Sequence, residues 1–304
     1  MSAAASQRFS LYGLNFDSAL AFPELPAATM PEPADVTIEI GPTPARLDPA
    51  VKEGVCFQTA PQKLLIWLEG VARFLVSDGL TIRVEAEPEA DGAEVRRLLL
   101  SSPLGALLLQ RGLLAFHASA VAGDGVGILF LGGPCAGKST AAAQLLARGF
   151  RLLSDDLAAV RIDAQGQPWV LPGHAELKLW PDSLTALGLD RAACPRVRAD
   201  LRKRVLRVPE RCEAAAVPLR AVYVLETHRA RDAAIGQLDG ASRITALLHH
   251  TYRLGFLAGA EPHAAHFSEI ARLAHAVKVA SLARAEAGVL GEEIIRQIEE
   301  GLRG

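Results

Sequence analysis

The stretch GILFLGGPCAGKSTAAAQLLARGFRLLSDDLAAV (residues 127–160) decides how this chain can fold. It begins with an apolar run typical of a buried strand and passes through a glycine-rich turn to a lysine and a helix-forming segment. A second apolar run follows, and it ends in two neighbouring aspartates, Asp155 and Asp156. A strand, a turn, a helix and a strand in this order predict an α/β layer with two carboxylates close to the turn.

The glycine-rich turn has the pattern G-x-x-x-x-G-K-[ST], with an apolar strand before it and a helix-forming run after it. Glycines let successive backbone N–H groups point at phosphate oxygens, and the helix that follows adds the positive end of its dipole. This pattern predicts a P-loop that binds ATP, with the lysine on the β- and γ-phosphates and the serine hydroxyl on Mg²⁺. The predicted nucleotide-binding residues are Gly132, Gly133, Pro134, Cys135, Ala136, Gly137, Lys138, Ser139 and Thr140. Within this set, Cys135 also fits a small filler, and Thr140 also fits an ordinary residue in the first turn of the helix.

The two aspartates end the strand that follows this helix. Adjacent parallel strands bring their carboxyl ends to one edge of a sheet, so we expect both carboxylates beside the phosphate loop. One carboxylate can hold Mg²⁺, and the other can accept the proton of an incoming hydroxyl. Because side chains alternate along a strand, both can face the loop only if the backbone bends there. The alternative is that one of the pair caps the following turn.

Composition excludes several classes of protein. The chain has 304 residues, half of them apolar, and a formal net charge of −2, which does not favour a nucleic-acid or membrane-surface binder. No run is long enough for a membrane span, and no basic start with an apolar run marks a signal peptide. The four cysteines show neither CxxC nor zinc-ligand spacing, so reduced thiols and a soluble, cytoplasmic protein are expected.

The pattern of short runs predicts two domains. In the first part of the chain, DVTIEI (residues 35–40) alternates like a strand. Residues 55–88 hold brief apolar runs rich in Val, Ile, Phe and Trp, and Asp78-Gly79 between two of them predicts a hairpin. Residues 1–90 are the first domain. These residues are expected to form a small, mainly β domain. In residues 91–304, strands alternate with helices, which predicts an α/β domain with a partly parallel sheet. Residues 92–112, at the start of this second domain, are predicted to form one helix.

Residues 115–160, AFHASAVAGDGVGILFLGGPCAGKSTAAAQLLARGFRLLSDDLAAV, resemble the catalytic core of the HPr kinase/phosphorylase family. His117, Lys138 and Asp155 stand at that family's relative spacing. The resemblance implies a P-loop kinase core of the type shared with phosphoenolpyruvate carboxykinases. It also implies ATP with Mg²⁺ as phosphoryl donor, a serine hydroxyl of a peptide or small protein as acceptor, and self-association into a homo-oligomer.

The resemblance also implies roles for single residues. Lys138 would bind phosphate, and Asp155 would be the general base toward the acceptor serine. Ser139 and Asp156 would hold the metal, and His117 would lie near the γ-phosphate. Without the resemblance, a lone histidine after an apolar strand is more often a core residue, and the matching spacing makes the two interpretations of His117 about equal.

The chain departs from that family downstream. Residues 171–189, LPGHAELKLWPDSLTALGL, lack the second glycine-rich signature of its HPr-specific members, so neither HPr as substrate nor the reverse phosphorylase activity is implied. The overall pattern is more similar to stand-alone HPr-kinase-like proteins of bacterial biosynthetic clusters. That similarity implies phosphorylation of a ribosomally synthesised precursor peptide, such as a lasso-peptide precursor.

Charged residues in the downstream part are further candidates. Lys178, Lys203 and Arg204 are candidate contacts to the nucleotide or the peptide, with a solvated charged face as the alternative. His174 and Glu176 are candidates to line the site, although loop polarity explains them as well.

The sequence therefore predicts an ATP-dependent serine kinase. Two alternatives remain open: a small-molecule or nucleotide kinase on the same loop, and a non-catalytic nucleotide-binding protein that carries a peptide. A phosphoenolpyruvate carboxykinase is disfavoured, because the chain is short for the additional substrate domain.

Overall fold

The computed structural model describes residues 6–28, 33–174, 176–198, 201–226, 234–283 and 289–303. It has mixed α/β structure with several sheets, so the expectation of an α/β chain is confirmed at that level. The chain divides into two compact units. One comprises Met1–Ala115 and Arg253–Phe267, and the other Phe116–Tyr252 and Ser268–Gly304.

The first unit is built on an eight-stranded sheet of order β1-β2-β3-β8-β7-β6-β5-β4. Asp78 and Gly79 join β7 to β8 with positive φ angles of 58° and 64°, as the Asp-Gly pair predicts. The strands are β1 (Gln7–Leu11), β2 (Leu14–Ser18), β3 (Val36–Ile40), β4 (Lys52–Gly54), β5 (Phe57–Ala60), β6 (Lys63–Leu68), β7 (Ala72–Ser77) and β8 (Thr81–Ala86).

Two helices, α1 (Gly92–Leu99) and α2 (Ser102–Gln110), follow this sheet, and α2 packs on β7. The expectation of a single helix starting near residue 92 is wrong beyond Leu99. Ser101 is the N-cap of a new helix whose first turn contains Pro103, and a proline has no N–H for a helix running through it.

The second unit contains most of the remaining elements. The strands are β9 (Leu114–Phe116, across the point where the units divide), β10 (Ala118–Gly123), β11 (Val126–Gly132), β12 (Arg151–Ser154), β13 (Ala158–Ile162), β14 (Pro168–Leu171), β15 (Glu176–Leu179), β16 (Arg196–Arg198), β17 (Leu201–Arg207), β18 (Val217–Glu226), β19 (Ala234–Gln237) and β20 (Lys278–Ala283). The helices are α3 (Lys138–Ala147), α4 (Pro181–Ala186), α5 (Gly240–His249), α6 (Ala260–Ala276, which begins within residues of the first unit) and α7 (Glu292–Arg303).

The order of the central strands is β12-β10-β11-β18, and β20 pairs with β18. Strands β11, β18 and β20 are parallel, whereas β10 is antiparallel to both β11 and β12. The expectation that the strand ending in the aspartates lies next to the strand before the loop is therefore wrong. Because β10 is antiparallel to both, β11 and β12 still run in the same direction. Their carboxyl ends reach the same edge of the sheet.

A single apolar core supports this edge. It includes Phe130 of β11 stacked on Tyr223 of β18, with ring centroids 5.9 Å apart, and apolar residues of α3 and α7. Leu177 and Leu179 of β15 belong to the same core and are fully buried. Since burying a leucine side chain stabilises a fold by about 1.5–3 kcal/mol, these two residues fix which face of β15 points inward. The side chain between them, Lys178, is left on the other face.

Candidate active site

The glycine-rich turn connects β11 to α3 in a sharply bent conformation. Gly132, Cys135 and Gly137 have positive φ angles of 152°, 61° and 97°. Gly137 is the N-cap residue of α3, and the helix begins at Lys138. The first N–H groups of a helix have no acceptor within the helix, so this turn presents backbone donors and the positive end of a helix dipole at one place. Such an arrangement favours a bound anion.

The Lys138 side chain folds back over the turn. Its ammonium group donates hydrogen bonds to the carbonyl oxygens of Gly132 (2.8 Å) and Gly133 (3.0 Å), and the residue is 7% exposed. Burial lowers the pKa of Lys138 from its ordinary value, and the neighbouring Asp155 and Asp156 oppose that effect. The turn thus holds the Lys138 ammonium group close to the backbone N–H groups at the start of α3.

Asp155 directly follows β12 and is hydrogen-bonded on both carboxylate oxygens. Oδ1 accepts bonds from the hydroxyls of Ser119 (2.5 Å) and Ser139 (2.9 Å), and Oδ2 accepts the Lys178 backbone N–H (2.9 Å). Burial raises the pKa of Asp155 above its usual value, against the effect of these three hydrogen bonds. The bond from Ser139 joins the aspartate pair to the first turn of α3.

Asp156 has φ of 73°, a left-handed conformation that bends the chain where the strand ends. Its Oδ2 lies 2.9 Å from the Lys178 ammonium and its Oδ1 3.3 Å from Nδ1 of His117. Burial disfavours the ionised form, but the charge and hydrogen bond of Lys178, together with His117, hold the pKa of Asp156 below its usual range. The bend required for both aspartates to face one site is present.

His117 lies between β9 and β10. Its ring atom Nδ1 is also 3.0 Å from the backbone oxygen of Asp156. The backbone N–H of His117 donates to the backbone carbonyl of His250 (3.0 Å). Burial and the charge of Lys138 lower the pKa of His117, while Asp156 raises it. Nδ1 faces oxygen atoms of Asp156, so a neutral ring donates from Nδ1 and keeps its lone pair at Nε2.

These groups line one cavity of about 460 Å³. It brings together the loop from Pro134 onward, both aspartates, and two of the downstream lysines. Its lining residues are His117, Pro134, Cys135, Ala136, Gly137, Lys138, Ser139, Thr140, Asp155, Asp156, Lys178, Leu179, Trp180, Asp182, Ser183 and Lys203.

Five residues named from the sequence lie outside this lining. Gly132 and Gly133 act through their carbonyl groups, which hold Lys138. Arg204 donates to the carbonyl oxygens of Arg191 and Cys194, away from the cavity. Glu176 forms an ion pair with Arg207 at 2.8 Å and lies 3.8 Å from His174.

Some members of the site were not foreseen. Ser119 lies two residues after His117, and strand alternation would have placed both on one face of β10. The Ser183 hydroxyl is hydrogen-bonded to the Thr140 hydroxyl at 2.9 Å, so Thr140 is held by the first turn of α4. No local pattern gives this second contact, because α4 is distant in sequence.

The donor set suits one hard cation with few protein ligands. Ser139 Oγ, in the first turn of α3, and Asp155 Oδ1 lie 2.9 Å apart, and both are oxygen atoms that could coordinate a metal ion. Among the described residues, no cluster of three or more His, Cys, Asp or Glu side chains is arranged to hold a metal. Mg²⁺ typically takes one or two protein oxygens and completes its shell with water and substrate phosphates, so this pair fits it.

No family model and no curated protein matches the chain. Among solved structures, it is similar to the structure titled "Structure of the Hpr(Ser) kinase/phosphatase from Coxiella burnetii". The identity is 12% and the TM-score 0.31, over 62% of this chain and 88% of that chain. This is a distant structural relation. In the described part of the chain, no helix is both long enough and apolar enough to cross a membrane.

Proposed function

We propose that this protein is a phosphotransferase that uses ATP with Mg²⁺ and passes the γ-phosphate to a serine hydroxyl of a peptide or small protein. The observation that carries the proposal is the hydrogen bond from Ser139 to Asp155, because it joins the turn of α3 to the aspartate pair across one cavity. The choice of a peptide serine as acceptor rests on the resemblance of residues 115–160.

The chain's own groups fit the needs of phosphoryl transfer, in which positioning and charge neutralisation supply most of the catalysis. The amides at the start of α3 and the Lys138 ammonium would bind the β- and γ-phosphates. Ser139 and Asp155 would hold Mg²⁺, which neutralises charge on the phosphate oxygens when bound. This gives Asp155 the metal-side role, whereas the family resemblance implies it for Asp156.

Asp156 is then the group that faces the acceptor. Its carboxylate is held ionised by Lys178 and positioned by His117. In the transfer, the acceptor oxygen forms a bond to the γ-phosphorus while the bond from that phosphorus to the β,γ-bridging oxygen breaks. The hydroxyl proton passes to Asp156, and ADP leaves with the bond's electron pair. A loose transition state places only a small demand on the strength of this base.

The direct test is turnover. Wild-type protein incubated with Mg²⁺ and ATP should form ADP slowly with water and faster with a serine peptide that gains the mass of one phosphate. Lys138→Ala should lose both nucleotide affinity and turnover. Wild-type protein that binds ATP but forms neither ADP nor phosphopeptide with a library of serine peptides would instead be a nucleotide-binding carrier.

A further inference from the structure

We infer that Lys203 of β17 is a second phosphate-binding cation, which reaches the terminal phosphate of ATP, with Trp180 as its positioning residue. The inference rests on the proposed function, since it needs a triphosphate in the cavity. It adds a residue that the glycine-rich motif does not contain.

The three-stranded sheet β15-β17-β16 places Lys203 at the cavity. Strands β15 and β17 are antiparallel, with Glu176 opposite Arg207 and Lys178 opposite Val205. One further step of this register brings Trp180 opposite Lys203. Residues that pair across two strands point to the same face, so Lys203 lies on the face of Lys178, away from the core that holds Leu177.

The Lys203 ammonium lies over the indole ring of Trp180, 5.6 Å from its centroid. A cation over an aromatic face is attracted to it but remains available to an anion, because the ring does not neutralise its charge. Both residues line the cavity. The indole therefore fixes where the ammonium stands, while its charge is left for another group.

Lys203 differs from the other two lysines of the cavity. Lys138 donates to two backbone carbonyls, and Lys178 forms an ion pair with Asp156. Within the described ranges, no carboxylate lies at ion-pair distance from Lys203. A half-buried lysine without a carboxylate partner, in a cavity that suits phosphates, is suited to bind an anion there.

The placement of Lys203 at the terminal phosphate follows from the shared cavity. Lys203 lines it together with Lys138 and Asp156. Under the proposed function, Lys138 binds the β- and γ-phosphates and Asp156 faces the acceptor. A cation in the same cavity, on the strand that pairs with the strand of Lys178, is placed to meet the phosphate that lies between these two groups. A cation supplied from outside the phosphate loop is a known device for stabilising charge in phosphoryl transfer.

The test compares two nucleotides that differ in the terminal phosphate. Titration calorimetry with Mg²⁺ would measure Kd for ADP and for the non-hydrolysable triphosphate AMP-PNP. Lys203→Met should raise the Kd of AMP-PNP about tenfold, the loss of one charge-assisted contact, and change that of ADP less than twofold. Lys203→Arg should retain most of the affinity. Arg202→Met, an exposed neighbour on the same strand, is the matched control and should change neither value.

A comparison of single and double variants tests whether Trp180 positions Lys203. Trp180→Leu should weaken AMP-PNP binding by a smaller factor, and it should have almost no further effect in the Lys203→Met background.

Equal changes in the Kd of both nucleotides in Lys203→Met, or no change in either Kd, would overturn the inference and leave the proposed function intact. Wild-type protein that binds neither nucleotide would overturn the proposed function itself. Thermal midpoints of the variants within a few degrees of wild type show that they are folded.

Discussion

Asp155 and Asp156 are consecutive residues in very different surroundings. Asp155 is enclosed by two serine hydroxyls and a backbone N–H, and burial raises its pKa, whereas Lys178 and His117 keep the pKa of Asp156 low despite burial. Two titratable groups whose environments push their pKa values apart are suited to different tasks. Under the proposed function, Asp155 beside Ser139 would hold the metal, and Asp156 beside His117 would accept the proton.

Asp156→Asn should therefore lower the rate of ADP formation by about 10²–10⁴-fold, the usual contribution of a positioned proton acceptor. The Kd of AMP-PNP with Mg²⁺ should stay within about threefold, since Asn keeps the shape of the residue and the phosphate loop is untouched. Rates would be measured by coupled ADP release, and affinities by calorimetry.

The matched control for this variant is Asp124→Asn. Asp124 lies in the turn between β10 and β11 with φ of 50°, a conformation that Asn tolerates well. We expect this variant to keep the wild-type rate. Full activity in Asp156→Asn would show that the proton goes elsewhere, with Nε2 of His117 as the next candidate.

The sequence predicts that the loop and the aspartate pair lie close together, but not which of the two aspartates contacts Ser139. The spacing of Lys138, Ser139 and the aspartates along one strand–turn–helix–strand unit indicates that they meet. Which aspartate faces Ser139 depends on the positive φ of Asp156, and the sequence does not show which residue of the pair takes that conformation. The hydrogen bond from Ser119 to Asp155 depends on β10 lying between β11 and β12.

The turn between β11 and α3 depends on a glycine that cannot be replaced without strain. A Cβ at Gly132, with φ of 152°, would lie 2.8 Å from Cβ of Ala136 and 3.0 Å from the carbonyl oxygen of Leu225. Gly132→Ala should therefore lower the thermal midpoint, because a forced contact in packed structure costs about 1–3 kcal/mol. It should also weaken ATP binding, since Gly132 helps to hold Lys138.

Gly133→Ala offers the comparison within the same turn. A Cβ there meets nothing within 4 Å, so its effect on the thermal midpoint should be small. Equal midpoints for Gly132→Ala and Gly133→Ala, measured by calorimetric scans, would mean that the turn is not packed as described.

Elements formed by local signals were predicted better than pairings between distant segments. The turn at Asp78-Gly79 predicts the β7–β8 hairpin, because both residues accept positive φ. The pairing of β15 with β17 brings Lys203 to the site across more than twenty residues of chain. Such a pairing depends on packing in the finished fold, and no short pattern encodes it.

The stability of the whole protein should depend on pH through a buried histidine. His266 of α6 is 8% exposed, and burial lowers its pKa to about 4 from an ordinary value of 6.5. Between pH 6.5 and pH 4, His266 is therefore protonated in the unfolded chain but still largely neutral in the folded protein. This stability contribution is present above pH 6.5 and is lost as the pH falls toward 4.

His266→Gln should have a smaller fall in Tm than wild type between pH 7 and pH 4.5, because glutamine does not titrate. A difference of about 2–4 °C is expected for each kcal/mol involved. His275→Gln, at an exposed position of the same helix, is the control and should follow wild type. Parallel Tm curves for all three proteins, by scanning calorimetry, would exclude His266 as the cause.

The larger arrangement was only partly accessible from the sequence. The sequence predicts β3 and the strands of residues 55–88, but not the order of the sheet, in which β3 lies parallel between β2 and β8. Parallel pairs join segments far apart in the chain, so neither turn residues nor periodicity specify them. The same holds for β18, which pairs with β11, β14 and β20.

The most direct test of a joint phosphate and metal site is the effect of Mg²⁺ on nucleotide affinity. In wild-type protein, Mg²⁺ should lower the Kd of AMP-PNP at least about tenfold relative to EDTA, and in Asp155→Asn this gain should almost disappear while the EDTA value stays close to wild type. A full Mg²⁺ effect in Asp155→Asn, in a variant with normal Tm, would contradict the account.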